Sequence, residues 1–351
     1  MADTSTSKHL QKANLEISAS KTGVLLMNTG TPEAPTEDAA RDFLKEMLSD
    51  PALISMPPFL WNIILHRFIL PKRPKKTAVL YKQFWTKEGS PFLLTSFKQR
   101  DLLQEKLGSE QFQVEIGMRY GKPSIASALK ALYEKGCKSV VLLPLYPQYV
   151  KVCNGTCFTK ADDELALLEK QYGWKPQVKK VEHFFENSAY IKGLAHSVQK
   201  VWKYKKGSKL VISFHSTPVS DIKKGDPYKQ QTEQTAQMLA DALNLADNDW
   251  VVSYQSRFDN RKWLSPFTLE TVEFLGAVGT DNICIIAPGF VSDNLETIIE
   301  LGQQMKELFL KEAKRFGVKN PQFSYVEALN DDDLLIQALA ESVLSKVDIR
   351  C

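Results

Sequence analysis

Residues able to do chemistry are concentrated at two places in this chain. His215, one of only five histidines, directly follows an apolar run in SFHSTP. An imidazole there can take a proton near neutral pH or ligate a metal ion. The same position also suits a hydrogen-bonded structural histidine. The second place is Pro288–Glu300, PGFVSDNLETIIE, which begins as the end of an apolar run and continues as a helical pattern. Asp293, Glu296 and Glu300 are spaced three and four apart, so a continuous helix would carry three carboxylates on one face. Asp293 and Glu296 would complement a helix N-terminus. Glu300 lies more than a turn in and needs another reason, such as handling protons or attracting a cation.

Other chemistries lack their residues. No G-x-G-x-x-G follows the first apolar run and no G-K-[ST] occurs; Gly121-Lys122 runs into Pro123. Neither a dinucleotide nor a nucleoside triphosphate therefore has its usual phosphate cradle. Cys153 and Cys157 lack the second ligand pair of a structural zinc site. Asn154-Gly155-Thr156 matches a glycosylation sequon, which has no consequence in a cytoplasmic protein.

The elements that must position these residues read as an α/β fold. Six apolar runs of strand length, residues 23–28, 112–117, 139–145, 209–214, 250–254 and 282–287, alternate with helical patterns over 124–135, 162–172, 189–204, 230–243 and 268–278. Near-continuous hydrophobicity is expected of parallel strands covered on both faces. The runs form two sets of three. The first of each ends in a polar turn and a proline, Asn28-Thr29-Gly30-Thr31-Pro32 and His215-Ser216-Thr217-Pro218. The third runs into a proline and an aromatic, at Pro144-Leu145-Tyr146 and Pro288-Gly289-Phe290. Two similar halves facing across a cleft are expected: residues 22–178, completed by a C-terminal helix at 331–349, and residues 179–330, carrying His215 and the carboxylates. Open α/β sheets bind ligands beyond the carboxyl ends of their strands, where these residues fall.

One asymmetry separates the halves. Between first and second runs the N-terminal half has residues 33–113, where the C-terminal half has only 219–249. The surplus, an insertion over about residues 43–95, is apolar and is expected either as a lid over an apolar ligand or as packing on its own half. Its greasiest part, Ala52–Leu70, is broken by Pro57, Pro58, Asn62, His66 and Arg67, too polar for a spanning helix.

Composition narrows the class further. With 43% hydrophobic and 10% aromatic residues the chain can bury a core and is not a disordered sequence. Its 45 Lys+Arg and 41 Asp+Glu nearly cancel and are interleaved, which argues against nucleic-acid binding. Five scattered cysteines argue against a disulfide framework, and the first twenty residues show no secretory signal, so a cytoplasmic location is expected.

Together these segments resemble the ferrochelatases, which insert ferrous iron into a porphyrin in the last step of haem synthesis, and among them the bacterial cytoplasmic members. The resemblance runs from about Gly23 to Asn330. It rests on GVLLMNTGTPEAPT, LYKQFW with GSP, IGMRYGKPS, VLLPLYPQY, SFHSTP with GDPY, YQSRF with WLSP, and PGFVSDNLETIIE in that order. It implies two Rossmann-like domains around a porphyrin cleft, with His215 and Glu296 as the metal and proton site. Phe290, Arg119, Tyr120 and Trp263 are then pocket residues, with Thr29 of the first turn beside them. Asp293 and Glu300 become the outward end of an acidic row. The implied partners are porphyrin and ferrous iron, as substrates; the apolar segment Phe59–Leu70, together with an apolar substrate, adds an expectation of weak peripheral membrane contact through the insertion.

Two departures from the family pattern stand out. The Ser/Thr-rich loop that commonly follows Y-P-Q-Y is replaced by Val150–Cys157, VKVCNGTC, which puts its polar contacts to substrate in doubt. Some relatives hold a [2Fe–2S] cluster with cysteines near the C-terminus. Only Cys351 lies there, so no cluster and no other tightly bound cofactor is expected. Protoporphyrin IX is the expected substrate. Coproporphyrin III, or a tetrapyrrole carrier without chelation, are the alternatives.

Overall fold

A computed structural model describes residues 21–54, 56–257 and 259–347. Two four-stranded parallel sheets repeat one topology. The first, in the order β2-β1-β3-β4, comprises β1 (Thr22–Asn28), β2 (Phe112–Met118), β3 (Ser139–Pro144) and β4 (Gln177–Lys180). The second, in the order β6-β5-β7-β8, comprises β5 (Lys209–His215), β6 (Trp250–Gln255), β7 (Asn282–Ile286) and β8 (Gln322–Val326). The α/β reading with two parallel-sheet halves therefore holds, and all six apolar runs are strands. The two additional strands, QVKK and QFSYV, are sheet edges in which most side chains are partly or wholly exposed. That is why neither reads as a continuous apolar run.

Strand periodicity explains the packing. Val24 and Leu26 of β1 join Leu210, Ile212 and Phe214 of β5 in one core that both sheets share. Their neighbours Leu25 and Met27 turn the other way, into a core closed by Leu129 and Leu165. Val211 and Ile285 do the same in the second sheet, against Phe309. The helix Asp333–Leu344 packs against Pro91–Leu107 and Ser188–Val201 and inserts Leu335 and Leu339 into the shared core. The halves are thus joined by apolar burial worth about 1.5–3 kcal/mol for each fully buried large side chain.

Buried polar ties add direction to that interface. Gln99 Nε2 donates to Ser292 Oγ at 2.9 Å and to the Asn330 carbonyl at 2.6 Å. Gln148 Nε2 donates to Thr235 Oγ1 at 3.0 Å, and the Tyr149 amide to Gln231 Oε1 at 2.6 Å. Directional bonds of this kind fix one relative setting of the sheets, which non-directional burial does not.

The long insertion is helical, with Glu37–Leu48 packed on Arg73–Phe84 and Pro58–Ile64 running on through Leu65–Ile69. Leu44, Leu48, Leu65 and Leu70 form its own small core. Phe59, Ile63 and Phe68 remain 67%, 57% and 61% exposed. Among the described residues no helix is long and apolar enough to cross a membrane.

Candidate active site

A cavity of about 790 Å³ opens between the carboxyl ends of the two sheets, within the range of about 300–1,000 Å³ typical of ligand sites. Its wall is drawn from the segments after each central strand: Thr29 beyond β1, Arg119 and Tyr120 beyond β2, Tyr146 beyond β3, His215 at the end of β5, Ser256 beyond β6, and Phe290 beyond β7. A sheet order that turns outward from a central strand leaves a crevice at such a point, which is why two repeated sheets produce one facing pair of crevices.

His215 is oriented by its neighbour. Its Nδ1 lies 2.7 Å from the Ser216 carbonyl oxygen. A carbonyl only accepts, so Nδ1 carries a proton and the ring's proton-accepting position is Nε2. Nε2 lies 3.9 Å from Glu296 Oε2. The loop behind is stitched in place: the Leu264 amide donates to the Thr217 carbonyl at 3.0 Å and the Val219 amide to the Lys262 carbonyl at 2.9 Å. That pairing brings Trp263 to the cavity beside His215, with its indole donating to Asp259 Oδ1 at 3.0 Å.

Glu296 and Glu300 come from a π-helical stretch, Glu296–Gln304, that begins where Asn294 Oδ1 caps the amides of Glu296 and Thr297. Both carboxylates reach Ser256 Oγ, at 3.5 and 3.4 Å. Ser256 holds φ of +61°, a left-handed setting rare for a residue with a side chain, and the strain is carried where two carboxylates meet. Burial, reinforced by the neighbouring charge of Glu296, raises the Glu300 carboxyl above its ordinary value; the Ser256 hydroxyl and His215 oppose this.

The expected row of three acids is corrected to a pair. Asp293 precedes the helix and does not line the cavity. Its carboxylate is consumed by Thr297 Oγ1 at 2.9 Å, Tyr325 OH at 3.1 Å, the Ala328 amide at 3.2 Å and Asn330 Nδ2 at 2.8 Å. It clamps the end of β7 to the end of β8, because the Asn294 cap starts the helix only after it. Thr29, Arg119, Tyr120, His215, Trp263, Phe290, Glu296 and Glu300 all line the cavity.

A family model for ferrochelatase matches residues 21–347. The chain belongs to the ferrochelatase family. It is accordingly a lyase that inserts a metal into a porphyrin, with porphyrin and ferrous iron as substrates. A ferrochelatase of Chromobacterium violaceum is 42% identical over 326 residues, covering 92% of this chain and 87% of that protein. One of Alcanivorax borkumensis is 40% identical over 339 residues, covering 94% and 95%. Among solved structures, SirB from Bacillus subtilis with Fe3+ superposes with a TM-score of 0.51 at 12% identity, covering 93% of this chain and 96% of that one, a likeness of fold.

Several ferrochelatase cavity features have no reading in the sequence motifs. Asp50, in the N-terminal insertion, forms a buried ion pair with Arg119, accepts from Tyr120 OH at 2.7 Å, and accepts the Ala52 amide at 2.9 Å. It sets the two cavity residues and the Ala52 turn of the insertion at once. The only signal available was that an arginine ending an apolar strand needs a carboxylate. Gly30, at φ +105°, is a second such feature. A Cβ there would stand 1.8 Å from the Tyr120 carbonyl oxygen, so glycine alone lets the β1 turn lie against the Arg119–Tyr120 segment. The Tyr120 amide then donates to the Thr29 carbonyl at 2.9 Å. The departing segment Val150–Cys157 is helical rather than a loop, in Lys151–Gly155 and Thr156–Tyr172. Asn154 is fully buried and its amide donates to the carbonyls of Tyr146 and Glu182, which leaves no room for a glycan on the sequon.

Proposed function

We propose that the chain inserts Fe2+ into protoporphyrin IX in this cavity, giving haem b and two protons. The observation that carries the reading is the pair His215 Nε2 and Glu296 Oε2, 3.9 Å apart and open to a cavity of porphyrin-accommodating size. Two pyrrole N–H groups must lose their protons as the metal enters, so a base has to stand beside the macrocycle. Nε2 is the free lone pair of the ring and accepts the first proton. Glu296 faces it and takes the charge that develops. Imidazole and carboxylate also suit ferrous iron, so the same two groups can hold the ion in transit. Glu300, whose proton is held more tightly than an ordinary carboxyl's, offers the next site along for a departing proton.

The walls support a porphyrin with one apolar and one acidic edge. Met47, Leu48, Leu53 and Ile54 of the lid line one side, suited to vinyl and methyl groups. Arg73, Lys151, Lys224, Arg257 and Arg261 supply cations elsewhere on the rim for propionates. Phe290 and Trp263 offer flat faces for the ring, and contacts that favour a bent macrocycle would expose its lone pairs to the metal.

Anaerobic turnover with Fe2+, followed by loss of porphyrin fluorescence, tests the proposal. Protoporphyrin IX is expected to be the faster substrate. Faster turnover of coproporphyrin III would reassign the substrate, and tight binding without insertion would make the chain a carrier. Full activity in His215→Ala or Glu296→Ala would remove the assigned roles.

We further propose that the protein is cytoplasmic and holds no [2Fe–2S] cluster. Among the described residues Cys137 and Cys157 lie in one core, and Cys284 lies in another with Cys153 packed against it, a division that supports no single set of four thiolates. Stoichiometric iron and sulfide in the purified protein would overturn the second statement. The exposed Phe59, Ile63 and Phe68 support peripheral membrane contact, which fails if the chain does not cosediment with liposomes.

A further inference from the structure

One hydroxyl of the cavity wall is left uncommitted. Tyr228 lines the cavity, yet only 6% of the residue is exposed, and its ring packs in the core that both sheets share. The turn before it is anchored from both halves. The Tyr228 amide donates to Asp226 Oδ1 at 3.0 Å, and the Lys151 amide donates to Asp226 Oδ2 at 2.9 Å. From this start of the helix Tyr228–Ala242 the side chain reaches the turn beyond β7, where a Cβ on Gly289 would stand 3.8 Å from the phenol oxygen. Other hydroxyls of the wall have partners. Tyr146 bonds Thr29, Tyr120 donates to Asp50, and Ser216 Oγ donates to the Leu264 carbonyl at 2.9 Å. Among the described residues the Tyr228 hydroxyl has none, and it is not one of the sealed unpartnered atoms of the interior, so it opens onto the cavity. A polar group so deeply buried is costly to leave without a hydrogen bond. Burial, reinforced by the surrounding acidic groups Cys153, Tyr254, Asp226 and Glu296, raises the phenol well above its ordinary value. It therefore keeps its proton and acts as a donor.

We infer that Tyr228 is a substrate-binding residue whose hydroxyl donates to a bare, imine-type nitrogen in the core of the metal-free porphyrin. A free-base core carries two N–H donors and two bare nitrogens, so a matching site needs both an acceptor and a neutral donor. His215 Nε2 is the acceptor, and the uncommitted phenol of Tyr228 is the donor. A propionate is a poor partner for this hydroxyl, because Asp226 and Glu296 act on the same position and would repel a third negative charge. A bare nitrogen is neutral and meets no such repulsion. Once a metal fills the core, all its nitrogens are engaged and the hydrogen bond is lost. The contact therefore recognises the substrate and not the metallated product. The inference rests on the cavity being the porphyrin site.

The test compares two ligands with the same periphery, metal-free protoporphyrin IX and zinc protoporphyrin IX, which has no bare nitrogen. Dissociation constants of both are measured by fluorescence titration for the full parent chain and for Tyr228→Phe, which removes only the hydroxyl. The variant is expected to bind metal-free protoporphyrin about 2–10-fold more weakly, the usual worth of one hydrogen bond. It is expected to bind zinc protoporphyrin as tightly as the parent does. Loss of folded protein would lower the number of sites for both ligands alike and leave the ratio of their dissociation constants unchanged. In anaerobic turnover with Fe2+, the KM for porphyrin should rise while kcat does not fall, because the lost contact belongs to the ground state. Equal weakening toward both porphyrins, or toward neither, overturns the role of Tyr228, as does a fall in kcat at unchanged KM. A parent chain that binds neither porphyrin overturns the proposed function itself, whereas parent binding without a selective loss in Tyr228→Phe overturns this inference alone.

Discussion

The two sheets repeat one strand order, yet their carboxyl ends carry different groups. Beyond β1 stands Thr29, bonded to Tyr146, where β5 ends in His215. Beyond β3 the N-terminal half offers Tyr146 and Gln148. Beyond β7 the C-terminal half offers Phe290 and then the helix bearing Glu296 and Glu300. The N-terminal crossover carries a long helical insertion that Asp50 ties to Arg119 and Tyr120, while the C-terminal one is short. The repeated backbone thus fixes where the cavity opens, and side chains decide that one half brings hydroxyl and amide groups to it while the other brings an imidazole and two carboxylates. A crevice follows from strand order alone, but a base requires a lone pair aimed into it.

The most severe test of that division exchanges equivalent losses in the two halves. His215→Ala should lower the rate of iron insertion by about 10²–10⁴-fold, the usual worth of a positioned base. Thr29→Ala, next to the matching strand end, should move KM more than kcat. Comparable losses of kcat in both would erase the distinction. Asp50→Ala should destabilise the N-terminal half by about 3 kcal/mol in urea unfolding, because it leaves the buried Arg119 charge without its partner. Asp50→Asn should lose less, since an amide oxygen still accepts from Tyr120.

A third comparison lies within the C-terminal half. Asp293→Asn should cost about 1–3 kcal/mol of stability through its unsatisfied donors, with turnover per folded molecule preserved. Glu296→Gln should do the reverse. If Asp293→Asn instead lowers turnover at full stability, the acid belongs to the reaction after all.

The smallest effect concerns Glu300. Its carboxyl is raised by burial beside Glu296, so the folded chain binds this proton more tightly than the unfolded chain does. The associated stability is full below the ordinary carboxyl value and falls as pH rises through the raised one. Glu300→Gln removes that slope. The stability difference should therefore shift in the variant's favour between about pH 4 and about pH 7, near and above the ordinary carboxylate range. An unchanged difference across that window would mean that Glu300 is no more buried than a surface acid.

What could be read from sequence followed the strength of its physical signal. Central strands such as VLLM and NICII are buried on both faces and advertise themselves. The edge strands β4 and β8 are not, and carry Lys or Gln among their few apolar residues. His215 and Glu296 were legible because each directly follows a strand or opens a helix. Asp50 was not, since its partner Arg119 is remote in the chain and neither the ion pair nor its burial has a local pattern. Ser256 was not legible either: nothing in a serine foretells a left-handed backbone.

The sequence by itself determined the fold class, the duplicated halves, the long insertion and the family, because periodic burial and ordered motifs are local properties written along the chain. Only the tertiary structure decided that the acidic row is a pair and that Asp293 is a clamp. Those outcomes depend on where a helix starts and which remote groups meet across a cleft. Hydrogen bonds and charge interactions act over a few ångströms of space, whatever their separation in sequence.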